Sequence, residues 1–334
     1  MLSQPGPHAL CLSSIHGVSR QAPVRRVVVT GAGGLLGVAV LRHFRARLDA
    51  VEGWTQTTRS LPDGTTLRPL DLTAPNALEA ALRALRPDLV VHCAALTDVD
   101  GCERDPTAAR ALNALVPGRL AAATAALGAG FVHVSTDAVY DGERPGEHHE
   151  DDAPGPCNVY AETKLEGEQL VLDAHPAALV LRTNMHGWTE RGRLSFSEVI
   201  LRGLAQGDAL TLFSDVTFSP LVVSDHARLI ATLVERGASG ILNFGAADAV
   251  TKEAFGHLVA DVFGLPATTI EGVTLASRNL TAARPRNTAL DTTRLAAALG
   301  SAPPTVADGV RRLRETLATA RPELRDLLHD PGRL

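Results

Sequence analysis

The stretch VVVTGAGGLLG, residues 27–37, joins a short apolar run to a glycine-rich turn and the start of a helix. In such a strand–turn–helix unit the first glycine permits a tight turn. The second lets backbone approach a pyrophosphate, and the third allows close packing of helix on strand. The first residues of the helix add free N–H groups and a positive dipole end. The pattern therefore predicts dinucleotide binding by Gly31, Gly34, Leu35, Leu36 and Gly37.

Short apolar runs alternate with Ala- and Leu-rich helical patterns from residue 24 to residue 183. This alternation predicts an α/β fold with a doubly wound, parallel Rossmann-like sheet. We assign the dinucleotide-binding domain to residues 24–183, including a long helix over 106–127. Residues 184–334 are assigned to a smaller substrate-binding lobe that returns some segments to the first sheet. We interpret residues 1–23 as a disordered extension, or as residues upstream of the true start.

Composition excludes several classes of protein. The net charge of −5 argues against nucleic-acid binding, and no apolar run is long enough to span a bilayer. The four cysteines form no CxxC pair, which favours a reducing cytoplasm. The loop GEHHEDDAPGP, residues 146–156, concentrates histidines and acids, but neighbouring residues in a Pro/Gly loop rarely converge on one ion. We predict a solvated loop and no metal site.

The residues after the second strand bear on the choice of dinucleotide. An acidic side chain there would hold a ribose 2′-hydroxyl, whereas WTQTTRS, residues 54–60, has no carboxylate and includes Arg59 near its end. An arginine fork can pair with a 2′-phosphate. We therefore expect NADP(H), with NAD(H) as the alternative cofactor. A solvated surface arginine is the other interpretation of Arg59.

Two later stretches supply a set of reactive side chains. HVSTDAVYDG, residues 133–142, puts Thr136 and Asp137 at the carboxyl end of a strand, where open α/β sheets bind ligands. NVYAETKLEGE, residues 158–168, puts Tyr160 and Lys164 on one face of a helix. A nearby ammonium lowers the pKa of a phenol toward neutrality, and a hydroxyl can orient a carbonyl oxygen. We predict a hydride-transfer site with Thr136, Tyr160 and Lys164 as catalytic residues.

The motifs TGAGGLLG, HCAALTDVDGCE, VSTDAVYDG, NVYAETKLEGE and RPRNTALD together resemble the extended short-chain dehydrogenase/reductase family. The similarity is greatest to its dTDP-4-dehydrorhamnose reductase-like members, and it runs from about residue 25 to about residue 320. It implies NADPH-dependent reduction of the C4 keto group of a nucleotide-linked 4-keto-6-deoxy sugar. The pattern STDAVYDG and the stretch LRTNMHGW depart from these reductases, so the sugar stays open.

The resemblance also implies roles for further residues. Those expected to line the cofactor are Asp71, Leu72, Ala94, Ala95 and Thr97, with Tyr160 and Lys164 beside the nicotinamide ribose. It further implies Val99, Arg284 and Asn287 near the substrate. From position and residue type alone we add Asp137, at the end of a strand, and His186 and Trp188, with packing in the smaller lobe as the alternative for Trp188.

Two other functions fit the same motifs. The regulatory β subunit of methionine adenosyltransferase resembles this family, so an NADP(H)-binding subunit without turnover is one alternative. A sugar-nucleotide epimerase or dehydratase is the other. For the reductase we expect a nucleotide-sugar substrate, no nucleic-acid or membrane partner, and a homodimer as the assembly to test.

Overall fold

The computed structural model describes residues 24–190 and 192–329, and the predicted extension 1–23 lies outside the described residues. The first half of the chain alternates strands and helices, as the sequence predicts. Its elements are β1 (Arg26–Thr30), α1 (Leu35–Arg45), β2 (Ala50–Thr55), β3 (Arg59–Ser60), β4 (Thr66–Pro69), α2 (Pro75–Leu85), β5 (Leu89–His92), α3 (Val99–Arg104), α4 (Pro106–Arg110), α5 (Val116–Ala126), β6 (Gly130–Val134), α6 (Val159–Ala174) and β7 (Leu179–Thr183).

The second half is less regular and has short strands. Its elements are β8 (Met185–His186), α7 (Phe196–Gln206), β9 (Leu210–Phe213), β10 (Thr217–Phe218), β11 (Leu221–Val222), α8 (Val223–Glu235), β12 (Gly240–Phe244), β13 (Val250–Thr251), α9 (Lys252–Phe263), β14 (Ile270–Val273), β15 (Asn287–Thr288), α10 (Thr293–Leu299), α11 (Val306–Ala320) and α12 (Pro322–His329).

The main sheet has the strand order β12-β7-β6-β5-β1-β2-β4-β3. All its pairings are parallel except that of β3 with β4, which is antiparallel. The order reverses between β1 and β5, because β2 lies on one side of β1 and β5 on the other. Ligands bind at such a switch point, outside the carboxyl ends of the strands. The fold class predicted from the sequence is confirmed.

Both faces of the sheet are buried, which explains the unbroken valine run in β1. Val27 and Val29 point into one apolar layer, together with residues of α1 and α8. Val28 points into the other layer, which includes residues of α2, α5 and α6. Successive side chains of a strand alternate between faces, so the three valines serve both layers.

The long helix predicted over 106–127 is present, with a π-helical turn within it. A π-helical turn at Ala111–Leu115 separates α4 from α5. Asn113 in this turn is buried, accepts a hydrogen bond from the Leu96 N–H at 2.8 Å and donates one to the Leu96 carbonyl at 3.1 Å. The side chain thereby ties the helix to the loop after β5, and π turns often occur near functional sites.

The lobe is not a separate stretch of chain. The strand β12 pairs in parallel with β7 in the main sheet, and α8 packs against α1. A three-stranded sheet in the order β13-β10-β15 lies in the lobe itself. None of the helices in residues 24–190 and 192–329 is long and apolar enough to cross a membrane.

Candidate active site

The glycine turn is shaped by close backbone contacts. Gly31 has a φ of 63°, and a Cβ there would lie 2.6 Å from the Ala94 nitrogen. A Cβ at Gly37 would overlap the carbonyl oxygen of Gly31. Gly34 precedes α1 without any side-chain cap, so the first N–H groups of the helix stay open toward the cleft. This cradle suits a pyrophosphate, and a side chain at Gly31 or Gly37 would destroy it.

A cleft of about 1250 Å³ lies at the carboxyl ends of the central strands. Its volume exceeds that of a usual single-ligand pocket, so a dinucleotide and a second molecule fit together. The residues predicted to bind cofactor that line the cleft are Gly31, Gly34, Leu35, Leu36, Gly37, Asp71, Leu72, Ala94, Ala95, Thr97, Tyr160 and Lys164. Of the predicted substrate residues, Val99, Asp137 and Arg284 line it.

Arg59 lies in a short strand that the sequence did not predict. Strand β2 ends at Thr55, and Arg59 begins the antiparallel strand β3. Its half-buried side chain nevertheless returns to the glycine turn, where Nη1 donates to the Gly33 carbonyl at 2.9 Å. The guanidinium is therefore held beside the turn, and the solvated alternative does not describe it.

The reactive set meets where β6 ends. Thr136 lies two residues after the end of β6 and lines the cleft, and its hydroxyl donates to Asp137 Oδ1 at 3.3 Å. On α6, Tyr160 and Lys164 face the cleft four residues apart. Asn158 caps this helix, accepting from the Ala161 N–H at 2.9 Å and donating to the Ala283 carbonyl at 2.9 Å. The cap fixes the start of the helix two residues before the phenol.

Lys164 does not lower the pKa of Tyr160 in this structure. Its ammonium donates instead to the Val134 carbonyl at 2.7 Å. Burial raises the pKa of Tyr160 to about 12, partly opposed by the nearby Thr136 hydroxyl. Burial lowers the pKa of Lys164 to about 8, opposed by the carboxylate of Glu168. The phenol is therefore a neutral proton donor here.

A buried polar network supports this helix from below. Ser135 donates to Glu168 at 2.5 Å, and Arg182 of β7 donates to the same carboxylate at 2.7 Å. Arg182 also donates to the Tyr140 hydroxyl at 3.0 Å, and that hydroxyl donates to Asn243 of β12 at 2.8 Å. The network joins β6, α6, β7 and β12 through fully paired groups, which rigidifies the site.

The carboxylate of Asp137 is buried and accepts from the Asn184 amide at 3.0 Å. Burial raises the pKa of Asp137, opposed by the Thr288 hydroxyl, by the charge of Lys252 and by the Asn184 amide. Asn184 was not singled out from the sequence, because it meets Asp137 only through the fold.

At the mouth of the cleft Arg284 donates to Asp100 at 3.0 Å. That ion pair connects α3, which begins at Val99, to the segment before β15. The hydrogen bond from Arg284 lowers the pKa of Asp100.

The structure does not bring three predicted substrate residues to the cleft. His186 is buried against Phe255 with neither ring nitrogen hydrogen-bonded. The indole N–H of Trp188 donates to Thr316 of α11 at 2.9 Å. Asn287 donates to backbone carbonyls of the loop 144–146. Polar and aromatic character alone had suggested the first two, and both are directed into the packing of the lobe.

The prediction of a solvated loop over 146–156 is wrong in part, because His148 and Glu150 are buried. His148 is buried and its Nε2 lies 3.0 Å from the Asn287 carbonyl, while His149 lies 3.5 Å from Asp291. Within the described part of the chain no group of three or more His, Cys, Asp or Glu side chains could hold a metal ion.

A parallel Rossmann sheet, a glycine cradle and a Thr–Tyr–Lys set in one cleft define an NAD(P)-dependent oxidoreductase. The comparisons with known proteins specify the family. The model of the RmlD substrate binding domain matches residues 25–319. The chain belongs to this family.

Three curated relatives illustrate its range. The probable low-salt glycan biosynthesis reductase Agl14 of Haloferax volcanii is 38% identical over 289 residues, covering 85% of this chain and 96% of the relative. The methionine adenosyltransferase 2 subunit beta of Bos taurus is 34% identical, with 82% of each chain covered. The dTDP-4-dehydrorhamnose reductase of Mycobacterium tuberculosis is 38% identical, covering 68% of this chain and 75% of the relative.

A solved structure has the same fold. The dTDP-4-dehydrorhamnose reductase of Bacillus anthracis, in complex with NADP, superimposes with a TM-score of 0.79. It is 24% identical, and the match covers 88% of this chain and 99% of the other.

Proposed function

We propose that this protein reduces the C4 keto group of a nucleotide-linked 4-keto-6-deoxy sugar, with dTDP-4-dehydro-L-rhamnose as the substrate to test first. The observation that carries the proposal is that Thr136, Tyr160 and Lys164 line the same cleft as the glycine turn. The similarity to curated reductases of glycan and rhamnose precursors supports it.

The side chains have two roles, proton transfer and the positioning of substrate and cofactor. Tyr160 donates its phenolic proton to the carbonyl oxygen, and its raised pKa keeps that proton in place until the oxygen becomes basic. Thr136 holds the same oxygen by a hydrogen bond. Lys164 binds the nicotinamide ribose. When bound, the cofactor supplies the hydride.

For the cofactor we propose NADP(H) in preference to NAD(H). The guanidinium of Arg59 lies beside the glycine turn, through its bond to Gly33. A forked, permanently charged donor suits a 2′-phosphate better than a hydroxyl. The NADP complex of the structural neighbour is consistent with this choice. We further propose a cytoplasmic protein, with a homodimer as the assembly to examine.

The test is cofactor oxidation with enzymatically prepared dTDP-4-dehydro-L-rhamnose, NADPH and NADH being compared in parallel. Tyr160→Phe removes the proton donor, so turnover falls by roughly 10²–10⁴-fold while NADPH affinity stays nearly unchanged. Tyr140→Phe is the matched control, because Tyr140 is the only other tyrosine of the chain and its hydroxyl faces the buried network. A Tyr160→Phe variant that kept most of its activity would show the mechanism to be wrong.

A second function has its own support. The similarity to a methionine adenosyltransferase subunit covers 82% of the chain, and such a subunit would bind cofactor without turnover. NADPH binding by calorimetry with no oxidation of any keto-sugar, together with co-purification of a synthetase, would favour that function. Turnover with stoichiometric release of NADP⁺ would favour the reductase over both this subunit and an epimerase or dehydratase.

A further inference from the structure

The chain continues past the end of the family match, which stops at residue 319. Helix α11 ends at Ala320, Arg321 follows it, and α12 begins at Pro322. The side chain of Arg321 is only 15% exposed. A guanidinium with so little access to water needs partners within the protein. The partners of Arg321 therefore show what the junction between α11 and α12 contacts.

Arg321 pairs with Glu198, a carboxylate in the first turn of α7 that has no exposed surface. Its Nε donates to Glu198 Oε1 at 2.7 Å. Its Nη2 donates to the Thr189 hydroxyl at 2.7 Å and also to the Thr189 carbonyl. A buried ion pair costs the desolvation of both charges, which only good geometry and further hydrogen bonds offset. The pair is therefore a specific contact between the α11–α12 junction and the segment before α7.

The carboxylate of Glu198 ties the two ends of this segment together. It accepts from the Thr189 N–H at 3.2 Å, from the Thr189 hydroxyl at 2.8 Å and from the Ser195 N–H at 2.9 Å. The Ser195 hydroxyl in turn donates to the Gly187 carbonyl at 2.5 Å. Thr189 and Ser195 thus depend on one buried carboxylate, and Arg321 is the cation that balances its charge.

The same segment forms a wall of the cleft. We use the name cleft wall for those of its described residues that line the cleft, namely Thr189, Glu190, Arg193, Leu194 and Ser195. Glu190 also pairs with Arg42 of α1, the helix that begins at the glycine turn. The cleft wall is therefore attached to the helix of the glycine turn at one point and to the α11–α12 junction at another.

A second contact joins the segment to the C-terminal helices. The indole N–H of Trp188 donates to the Thr316 hydroxyl of α11 at 2.9 Å. That hydroxyl donates to the backbone carbonyl of Arg312 at 2.9 Å, so it is fixed on its own helix. Two successive residues, Trp188 and Thr189, are thus bonded to α11 and to the residue that follows it. Such bonds matter in a loop, because loops open locally at a lower free energy than core elements do.

We propose that Arg321 is a positioning residue for the cofactor. Through Glu198 it holds Thr189 and Ser195 in the arrangement in which the cleft wall lies against the bound dinucleotide. The inference rests on the NADP(H) part of the proposed function and not on the identity of the sugar. With the ion pair intact, the cleft wall is ordered before the cofactor binds. Without the guanidinium the anchored arrangement is one of several, and the cofactor binds only that fraction of the molecules.

The first experiment measures NADPH binding by calorimetry without any sugar. Arg321→Met removes the guanidinium and keeps an unbranched side chain. If the anchored arrangement then falls to about a tenth of the molecules, the dissociation constant for NADPH rises roughly tenfold. Arg321→Lys keeps the charge but not the fork, so its dissociation constant lies between the two. Arg311→Met removes an exposed cation of α11 and is the control. An unchanged dissociation constant in Arg321→Met overturns the inference.

The second experiment follows tryptic cleavage of the folded protein at Arg193, an exposed arginine of the cleft wall. Such cleavage tracks the population of locally opened molecules when opening is fast. Arg321→Met therefore raises the cleavage rate roughly tenfold, and NADPH slows it because the cofactor lies against the wall. Cleavage at Arg278, an exposed arginine outside the wall, keeps its wild-type rate. Equal cleavage at Arg193 with and without NADPH would contradict the proposal.

Thr316→Val decides the question if Arg321→Met does not fold. This substitution on an exposed face of α11 preserves the shape of the side chain and removes the bond to Trp188, while the Arg321–Glu198 pair stays. We expect the NADPH dissociation constant and the cleavage rate at Arg193 to rise roughly threefold, the effect of one neutral hydrogen bond. If neither value changes, the C-terminal helices do not hold the cleft wall.

This inference and the proposed reaction fail in distinguishable ways. If no keto-sugar is reduced but Arg321→Met weakens NADPH binding and speeds cleavage at Arg193, the reaction is wrong and the positioning role is supported. If the sugar is reduced and neither value responds, the reaction stands and Arg321 has no positioning role. Where turnover is measured, Arg321→Met raises the KM for NADPH and leaves kcat at saturating NADPH close to that of the wild type.

Discussion

The hydrogen bond of Arg59 to Gly33 indicates its role better than the strand to which it belongs. The sequence placed it shortly after the second strand, and the structure places it in β3, where its side chain bonds the Gly33 carbonyl. That bond matters more than the strand assignment, because it holds the guanidinium beside the glycine turn where we propose that the dinucleotide binds.

Replacing Arg59 with leucine should therefore change cofactor preference. A charge-assisted hydrogen bond to a phosphate is worth about 1.5–3 kcal/mol, so kcat/KM for NADPH falls roughly 10- to 100-fold. The kcat/KM for NADH changes much less. Arg68→Leu is the control, since Arg68 lies nearby on β4 and pairs with Glu52. Equal losses with both cofactors would show that Arg59 does not read the 2′-phosphate.

Residues inside contiguous motifs could be predicted from sequence, and residues that meet across the fold could not. The glycines, Thr136, Tyr160 and Lys164 stand in local patterns whose spacing has a chemical meaning. Asn184 bonds Asp137 from a distant part of the chain, and no spacing along the chain indicates this contact. His186 and Trp188 were chosen for their residue type alone; His186 is buried in the lobe, and the half-buried Trp188 bonds Thr316.

At the scale of elements, α6 carries two of the three proposed catalytic groups and depends on how it begins. Asn158 caps the helix and also bonds the Ala283 carbonyl in the segment before β15. The sequence NVYAETK contains a good capping residue at that position, so the start of α6 could be predicted from the sequence. The π-helical turn between α4 and α5 could not be predicted, because it depends on the contact of Asn113 with the distant Leu96.

The cap can be tested with two substitutions. Asn158→Ala removes both hydrogen bonds, whereas Asn158→Ser retains a competent cap and loses only the bond to Ala283. We expect the alanine variant to have a free energy of unfolding about 1 kcal/mol lower than the serine variant. Chemical denaturation of the two proteins measures the difference. Identical unfolding curves would mean that the cap contributes nothing to α6.

On the scale of the whole molecule, several buried histidines make stability depend on pH. Burial lowers the pKa of His92 to about 3, of His186 to about 3 and of His226 to about 4. The unfolded chain binds protons near pH 6.5, while the folded protein does not until far lower pH. The contribution of each histidine to the free energy of unfolding is therefore complete above about pH 6.5. It is lost as the pH falls from there toward 3–4, at about 1.4 kcal/mol per pH unit for each group.

His186→Leu should reduce this dependence. Its ring has no hydrogen-bond partner to lose, so the variant removes one titrating group with little change in packing. At pH 5 we expect it to retain about 2 kcal/mol of unfolding free energy that the wild type has lost, with little difference at pH 8. Urea denaturation between pH 5 and pH 8 measures the free energy of unfolding of the variant and of the wild type. The exposed His257→Leu is the control, and a parallel shift at all pH values in His186→Leu would contradict the linkage.

The position of β12 beside β7 has a consequence for protein engineering. Because the chain leaves the main sheet after Thr183 and re-enters it at Gly240–Phe244, the lobe cannot be exchanged as one C-terminal cassette. A chimera designed to accept a different sugar would need at least two separate grafts, with β12 and α8 kept from the host chain. Truncation after β7 would leave its outer edge unpaired, and such an edge invites aggregation.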